Sequence, residues 1–145
     1  MKGDRTVRGR VVFGFFSLFL LAMMLMPFLS TSADGVSRIK PEELKEMIER
    51  KDDILVVDNQ PKKAYEQGHI KGAINFPWTS EIEEPGNLPK NKLLILYCAC
   101  THEEDSSDVA TQLMKKFGYE KVKILEGGWI KWFKLGYPVE KGEGE

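Results

Sequence analysis

An α/β fold, a small parallel sheet with helices on both faces, is predicted by three observations. Apolar runs of four or five residues recur along the chain at fairly even spacing. Short helical patterns fill the intervals, and glycine, proline or a polar cluster separates each segment from the next. In order, residues 41–50 open with Pro41 and two acids and set Leu44, Met47 and Ile48 on one face, a helix signature. Residues 54–57 form a short apolar strand ending in Asp58, and residues 61–67 a short helix stopped by Gly68. Residues 74–77 are a brief extended piece, and residues 79–88 a polar excursion marked by Pro85 and Gly86. Leu93–Tyr97 is an apolar run bounded by Lys92 and Cys98, which reads as a strand buried on both faces. Residues 105–117 are the next helix, with Asp105, Ser106 and Ser107 as cap candidates and Gly118 as the stop. A strand at residues 122–125 and a helix at residues 128–135 complete the pattern.

The thiols Cys98 and Cys100 thus fall at the carboxyl end of a strand, before a helix N-terminus. Open α/β sheets bind ligands there, and free amide N–H groups with the helix dipole favour an anion. A thiolate is such an anion, so a cysteine pKa is expected to fall there and its sulfur to become nucleophilic. A disulfide between residues two apart is strained and easily reduced, so it would be redox-active rather than structural. Cys98, Cys100 and His102 also offer two soft ligands and an imidazole, a set suited to copper or zinc. That makes a soft-metal or thiol redox module the alternative function.

Residues 1–33 are read as a signal peptide or N-terminal membrane anchor. Lys2, Arg5, Arg8 and Arg10 precede an uncharged stretch, residues 11–29, and Thr31-Ser32-Ala33 supplies small residues for cleavage. The remainder is expected to be exported, to a periplasmic or other extracytoplasmic location, possessing a membrane contact only if the segment is retained. Residues 34–145 suit one domain and carry 17 basic and 21 acidic side chains, a net of −4. That balance argues against nucleic acid or an anionic membrane surface as partner.

Two further stretches carry a resemblance. Val56-Val57-Asp58 followed by Tyr65-Glu66-Gln67-Gly68-His69-Ile70-Lys71-Gly72-Ala73-Ile74-Asn75 resembles the first signature of the rhodanese-like domain family. Leu125-Glu126-Gly127-Gly128-Trp129, with Trp132, Gly136, Tyr137 and Pro138, resembles its C-terminal signature. Tyr97-Cys98 sits where the family places its active-site cysteine. The resemblance covers residues 39–139 and implies sulfurtransferase chemistry. Cys98 is implied as the catalytic cysteine that takes a sulfane sulfur as a persulfide and passes it to a nucleophilic acceptor. Loop N–H groups would cradle the terminal sulfur. Cys100 is the rival nucleophile or a resolving thiol. Ala99, Thr101, His102, Glu103, Glu104, Asp105 and Ser106 form the expected active-site loop. Asp58 either orients loop amides or caps the helix that follows Pro61. His69 is expected to hold structure, and Trp129, Trp132 and Phe133 to be core and rim.

The resemblance implies no cofactor and no resident metal. Its partners would be a small-molecule or protein sulfur donor and acceptor, and the chain is expected to be a monomer. The departures are specific. No arginine occurs from Cys98 through Lys115, and Gln60 stands where the family commonly has arginine. Glu103, Glu104 and Asp105 are expected to repel a dianion, so thiosulfate should be a poor donor. The loop resembles a C-x-C-P-x-E variant with Thr101 in the proline place. A phosphatase-like reading fails because no loop arginine holds a tetrahedral anion. A non-catalytic binding module of the same fold is the remaining alternative.

Overall fold

The computed structural model describes residues 35–142. The segment read as a signal peptide or anchor lies outside the described residues. Among the described residues are seven strands and four helices: β1 (Ser37–Ile39), α1 (Pro41–Glu49), β2 (Ile54–Asp58), α2 (Lys62–Gln67), β3 (His69–Ile70) and β4 (Ile74–Asn75) come first. They are followed by β5 (Leu93–Tyr97), α3 (Glu104–Phe117), β6 (Val122–Leu125), α4 (Gly128–Lys134) and β7 (Val139–Glu140).

Five strands form a parallel sheet in the order β1-β6-β5-β2-β4, with the most apolar strand, β5, at its centre. Alternation along each strand sends neighbours to opposite faces. Leu94 and Leu96 join Val57, Ile124 and the α3 residues Val109, Ala110 and Leu113 in one core. Ile95 and Tyr97 join Val56, Leu125, Leu44 and Trp132 in the other. Both faces are therefore covered, which is why β5 shows no polar alternation.

The helices and central strands match the sequence pattern to within a residue or two, and three features differ. Strand β1 precedes the first predicted helix as an edge strand on β6, with Ile39 opposite Leu125. His69–Ile70 and Val139–Glu140 pair antiparallel as a separate two-stranded sheet, too short to carry a periodic signal. The excursion at residues 79–88 is also packed. Ile82 and Leu88 are buried, and α3 reaches across to hold the first of them. Gln112 Oε1 accepts from Ile82 N–H at 2.7 Å, and Lys116 Nζ donates to Ile82 O at 2.7 Å.

Helix α3 starts one residue early. None of Asp105, Ser106 and Ser107 caps it; Glu103 is the cap position, in left-handed backbone with φ 56°, and no side chain caps the helix. Glu104 and Asp105 therefore lie in the first helical turn, where acids favour the dipole. Ser106 is buried under it.

Candidate active site

Register places two strand ends side by side. Asp58, the last residue of β2, stands opposite Tyr97, the last of β5. Tyr97 O–H donates to Asp58 Oδ2 at 2.6 Å, while Gln60 N–H and Gln60 Nε2 donate to the same carboxyl at 2.8 and 3.0 Å. The Tyr97 oxygen in turn accepts Ile70 N–H at 3.0 Å. Burial pushes the Asp58 carboxyl up, and its hydrogen bonds from Tyr97 and Gln60 oppose that. Burial and the neighbouring Asp58 hold the Tyr97 phenol far above its ordinary range, so it stays a donor. Helix α2 begins without a side-chain cap, so Asp58 braces β5 and Gln60 instead.

Asn59 continues this end: its N–H donates to Tyr97 O at 2.8 Å and its Nδ2 to Phe76 O at 2.7 Å. Its Oδ1 is buried without a hydrogen-bond partner among the described residues.

Cys98 follows Tyr97 and is 1% exposed; Cys100 is partly exposed, and both are free thiols. Cys100 N–H points to Cys98 Sγ at 3.4 Å, and Ser106 Oγ lies 3.6 Å from the same sulfur. One loop amide thus faces the buried sulfur as a donor, the start of an anion cradle, while the Ser106 hydroxyl donates to Glu103 O at 3.1 Å. The loop proper runs from Cys98 to Glu103, because Glu104, Asp105 and Ser106 belong to α3. Burial, then the hydrogen bond to Cys98, pushes the Cys100 thiol well up from its ordinary range.

The base of the loop is clamped by the turn after β6. Trp129 N–H donates to Cys98 O at 2.9 Å. A Cβ at Gly128, where φ is +47°, would lie 2.3 Å from that oxygen, so only glycine permits the approach. Glu103 joins the same clamp. Its Oε1 accepts Gly127 N–H at 2.7 Å and its Oε2 accepts Arg38 Nε at 3.3 Å. A strand-borne arginine therefore does stand beside the loop, contributed from 65 residues upstream and engaged with Glu103 and with Ser107 Oγ.

The three loop acids part company. Glu103 is an anchor, and Glu104 accepts His102 N–H at 3.1 Å with His102 Nδ1 3.4 Å away. Asp105 alone joins the thiols: one ligand atom each from Cys98, Cys100 and Asp105 lie within 4.8 Å of one another. His102 turns outward, 81% exposed in its side chain, so the third donor beside the sulfurs is Asp105. Two thiols and a carboxylate are a donor set that a soft divalent ion accepts.

The aromatic residues divide as core and rim. Trp132 is buried and Nε1 donates to Pro138 O, Trp129 packs over Gly68, and Phe133 is 60% exposed. His69 is buried, stacked on Tyr65, its ring nitrogens 2.9 Å from Tyr65 O and 3.2 Å from Glu140 Oε1. It ties α2 to β7. Arg38 is the site-shaping residue that sequence reasoning missed; the sequence places Glu103 in the loop, but as a repelling acid rather than an anchor, because a non-glycine left-handed residue leaves no mark in composition.

Comparison with known proteins gives the same picture. The family model described as Rhodanese-like domain matches residues 40–135. A protein of Allochromatium vinosum named sulfurtransferase is 29% identical over 109 residues, covering 75% of this chain and 99% of its own length. The sulfur carrier protein TtuD of Thermus thermophilus is 32% identical over 102 residues, covering 59% of this chain and 35% of its own. The BH2092 protein of Bacillus halodurans superimposes with a TM-score of 0.66 at 29% identity, over 72% of this chain and 77% of that one. The chain spans about a fifth to a half of the length of several curated relatives that it matches.

Proposed function

Because the chain belongs to the rhodanese-like domain family, we propose that it is a sulfurtransferase working through a persulfide on Cys98. The Cys98 sulfur attacks the outer sulfur of a donor persulfide or polysulfide, and the donor departs as a thiolate or, from a polysulfide, as the chain one sulfur shorter. An acceptor thiolate then attacks that outer sulfur and Cys98 departs in its turn. The observation that carries the reading is the placement of Cys98. It is the strand-end thiol whose sulfur receives a loop N–H and lies 3.6 Å from a helix hydroxyl oxygen, and whose carbonyl is clamped by Trp129. Relatives named sulfurtransferase and sulfur carrier protein support the chemistry.

Donor choice follows from the charges. No loop arginine is present, and the one nearby guanidinium, Arg38, is engaged by Glu103. A dianion such as thiosulfate finds little to hold it, and Asp105 faces the thiols. A polysulfide or a small-molecule or protein persulfide is the better donor.

The test is sulfur loading followed by intact mass. Polysulfide should leave the chain heavier by one sulfur atom, cyanide should remove it, and Cys98→Ser should abolish the gain. Thiosulfate should load poorly. Failure of every donor, together with tight zinc or copper binding that needs Cys98, Cys100 and Asp105, would replace the enzyme with a metal site.

A further inference from the structure

We propose that Cys100 is the resolving thiol of this site, so that sulfur loaded on Cys98 leaves as hydrogen sulfide and the loop closes as a Cys98–Cys100 disulfide. The inference rests on the sulfurtransferase reading and adds the fate of the sulfur. It would make the domain a dithiol-driven reductase of sulfane sulfur.

Two features of the geometry lead there. The Cys100 thiol is folded back toward Cys98: its own N–H reaches Cys98 Sγ at 3.4 Å, and both sulfurs and an Asp105 oxygen lie within 4.8 Å. Cys98 is buried, whereas Cys100 is partly exposed. An external thiol must reach into a covered site, while Cys100 is already held beside the inner sulfur at high effective concentration.

The step balances without an added oxidant. The Cys100 sulfur attacks Cys98 Sγ, the inner atom of the persulfide, and a Cys98–Cys100 S–S bond forms. The bond from Cys98 Sγ to the outer sulfur breaks, and the outer sulfur leaves with the electron pair. The proton released by Cys100 ends on that sulfur, giving HS⁻. The outer sulfur is reduced by two electrons, and the cysteine pair is oxidised to the disulfide. The Asp105 carboxylate stands beside Cys100 to receive the proton in transit. A disulfide between residues two apart is strained and readily reduced, so an external dithiol restores the pair for the next cycle.

The full-length chain, reduced and freed of thiols, is mixed anaerobically with equimolar polysulfide; free sulfide and intact mass are then followed. The wild type should release one sulfide per chain beyond that freed in the loading step, with no thiol added, and end lighter by two hydrogens. Cys100→Ser and Cys100→Ala should instead keep the added sulfur, and release sulfide roughly 100-fold more slowly. A wild type that holds its persulfide as long as these variants overturns the inference while leaving sulfur transfer standing. So does a wild type whose extra sulfur maps to Cys100. If neither variant nor wild type gains sulfur, the transferase reading itself falls, and this inference with it.

Discussion

The two strand ends that meet in this site are built on opposite principles. At the end of β2, the Asp58 carboxyl is held by three donors at 2.6 to 3.0 Å, and its partner Tyr97 is itself held by Ile70 N–H. One residue further along β5, the Cys98 sulfur has two looser neighbours, at 3.4 and 3.6 Å. The first end is a satisfied buried network, and such a network rigidifies whatever it touches. The second is a buried sulfur met by longer, weaker contacts. The lesson is a division of labour: the brace fixes where β5 stops, so that the thiol beyond it need not be held by its own contacts.

That division can be broken at either end. Tyr97→Phe removes the donor to Asp58 and orphans Ile70 N–H, and should cost about 3 kcal/mol in urea unfolding. Sulfur loading per folded molecule should stay near the wild-type rate. A large loss of loading with intact stability would mean that the brace takes part in the chemistry.

Gly128→Ala should act the other way. Its Cβ meets the Cys98 carbonyl at 2.3 Å, so the turn or the loop must shift. The stability cost is about 2 kcal/mol, and persulfide formation should slow by about 10-fold as the sulfur moves. Stopped-flow loading against chemical denaturation separates the two effects.

Glu103→Gln should be milder, about 1 kcal/mol, since glutamine still accepts Gly127 N–H while the charge facing Arg38 is lost. With that negative charge gone, Arg38, still bonded to Val36 O and Ser107 Oγ, leaves the loop more positive and should improve thiosulfate as a donor, read as a rise in loading rate at low salt. No change in donor preference would show that Arg38 stays out of reach of the site.

The smallest effect is on pH dependence. Burial raises the Asp58 pKa from 3.8, so the neutral carboxyl is favoured by folding. Its contribution is present in full below 3.8 and is lost as pH rises through the raised value. Thermal unfolding from pH 3 to 7 should show that decline in the wild type and a flatter profile in Asp58→Asn. An Asp58 whose removal leaves the profile unchanged would mean that its hydrogen bonds cancel the effect of burial.

What the sequence determined by itself is the set of features written in local period and punctuation. Strands β2, β5 and β6 show as apolar runs, α1 and α3 as amphipathic stretches closed by Arg50 and Gly118, and Cys98 as the residue where the central strand ends. Burying a strand or a helix face demands that spacing wherever the chain lies, so these elements and the junction bearing the thiols are legible without coordinates. Only the tertiary structure decided the rest. Strand β1 and the β3–β7 pair are two or three residues long and exist through partners far along the chain. Ile82 and Leu88 look like part of a polar excursion until α3 and Tyr119 hold them against the core. In the loop, spacing alone made His102 the third ligand and three acids one cluster. The left-handed turn at Glu103 instead sends His102 outward, commits Glu103 to Gly127 and Arg38, and leaves Asp105 beside the sulfurs. Hydrophobic pattern repeats and so survives in one dimension. A hydrogen bond depends on one rotamer meeting one distant group, and nothing in the order of residues records that meeting.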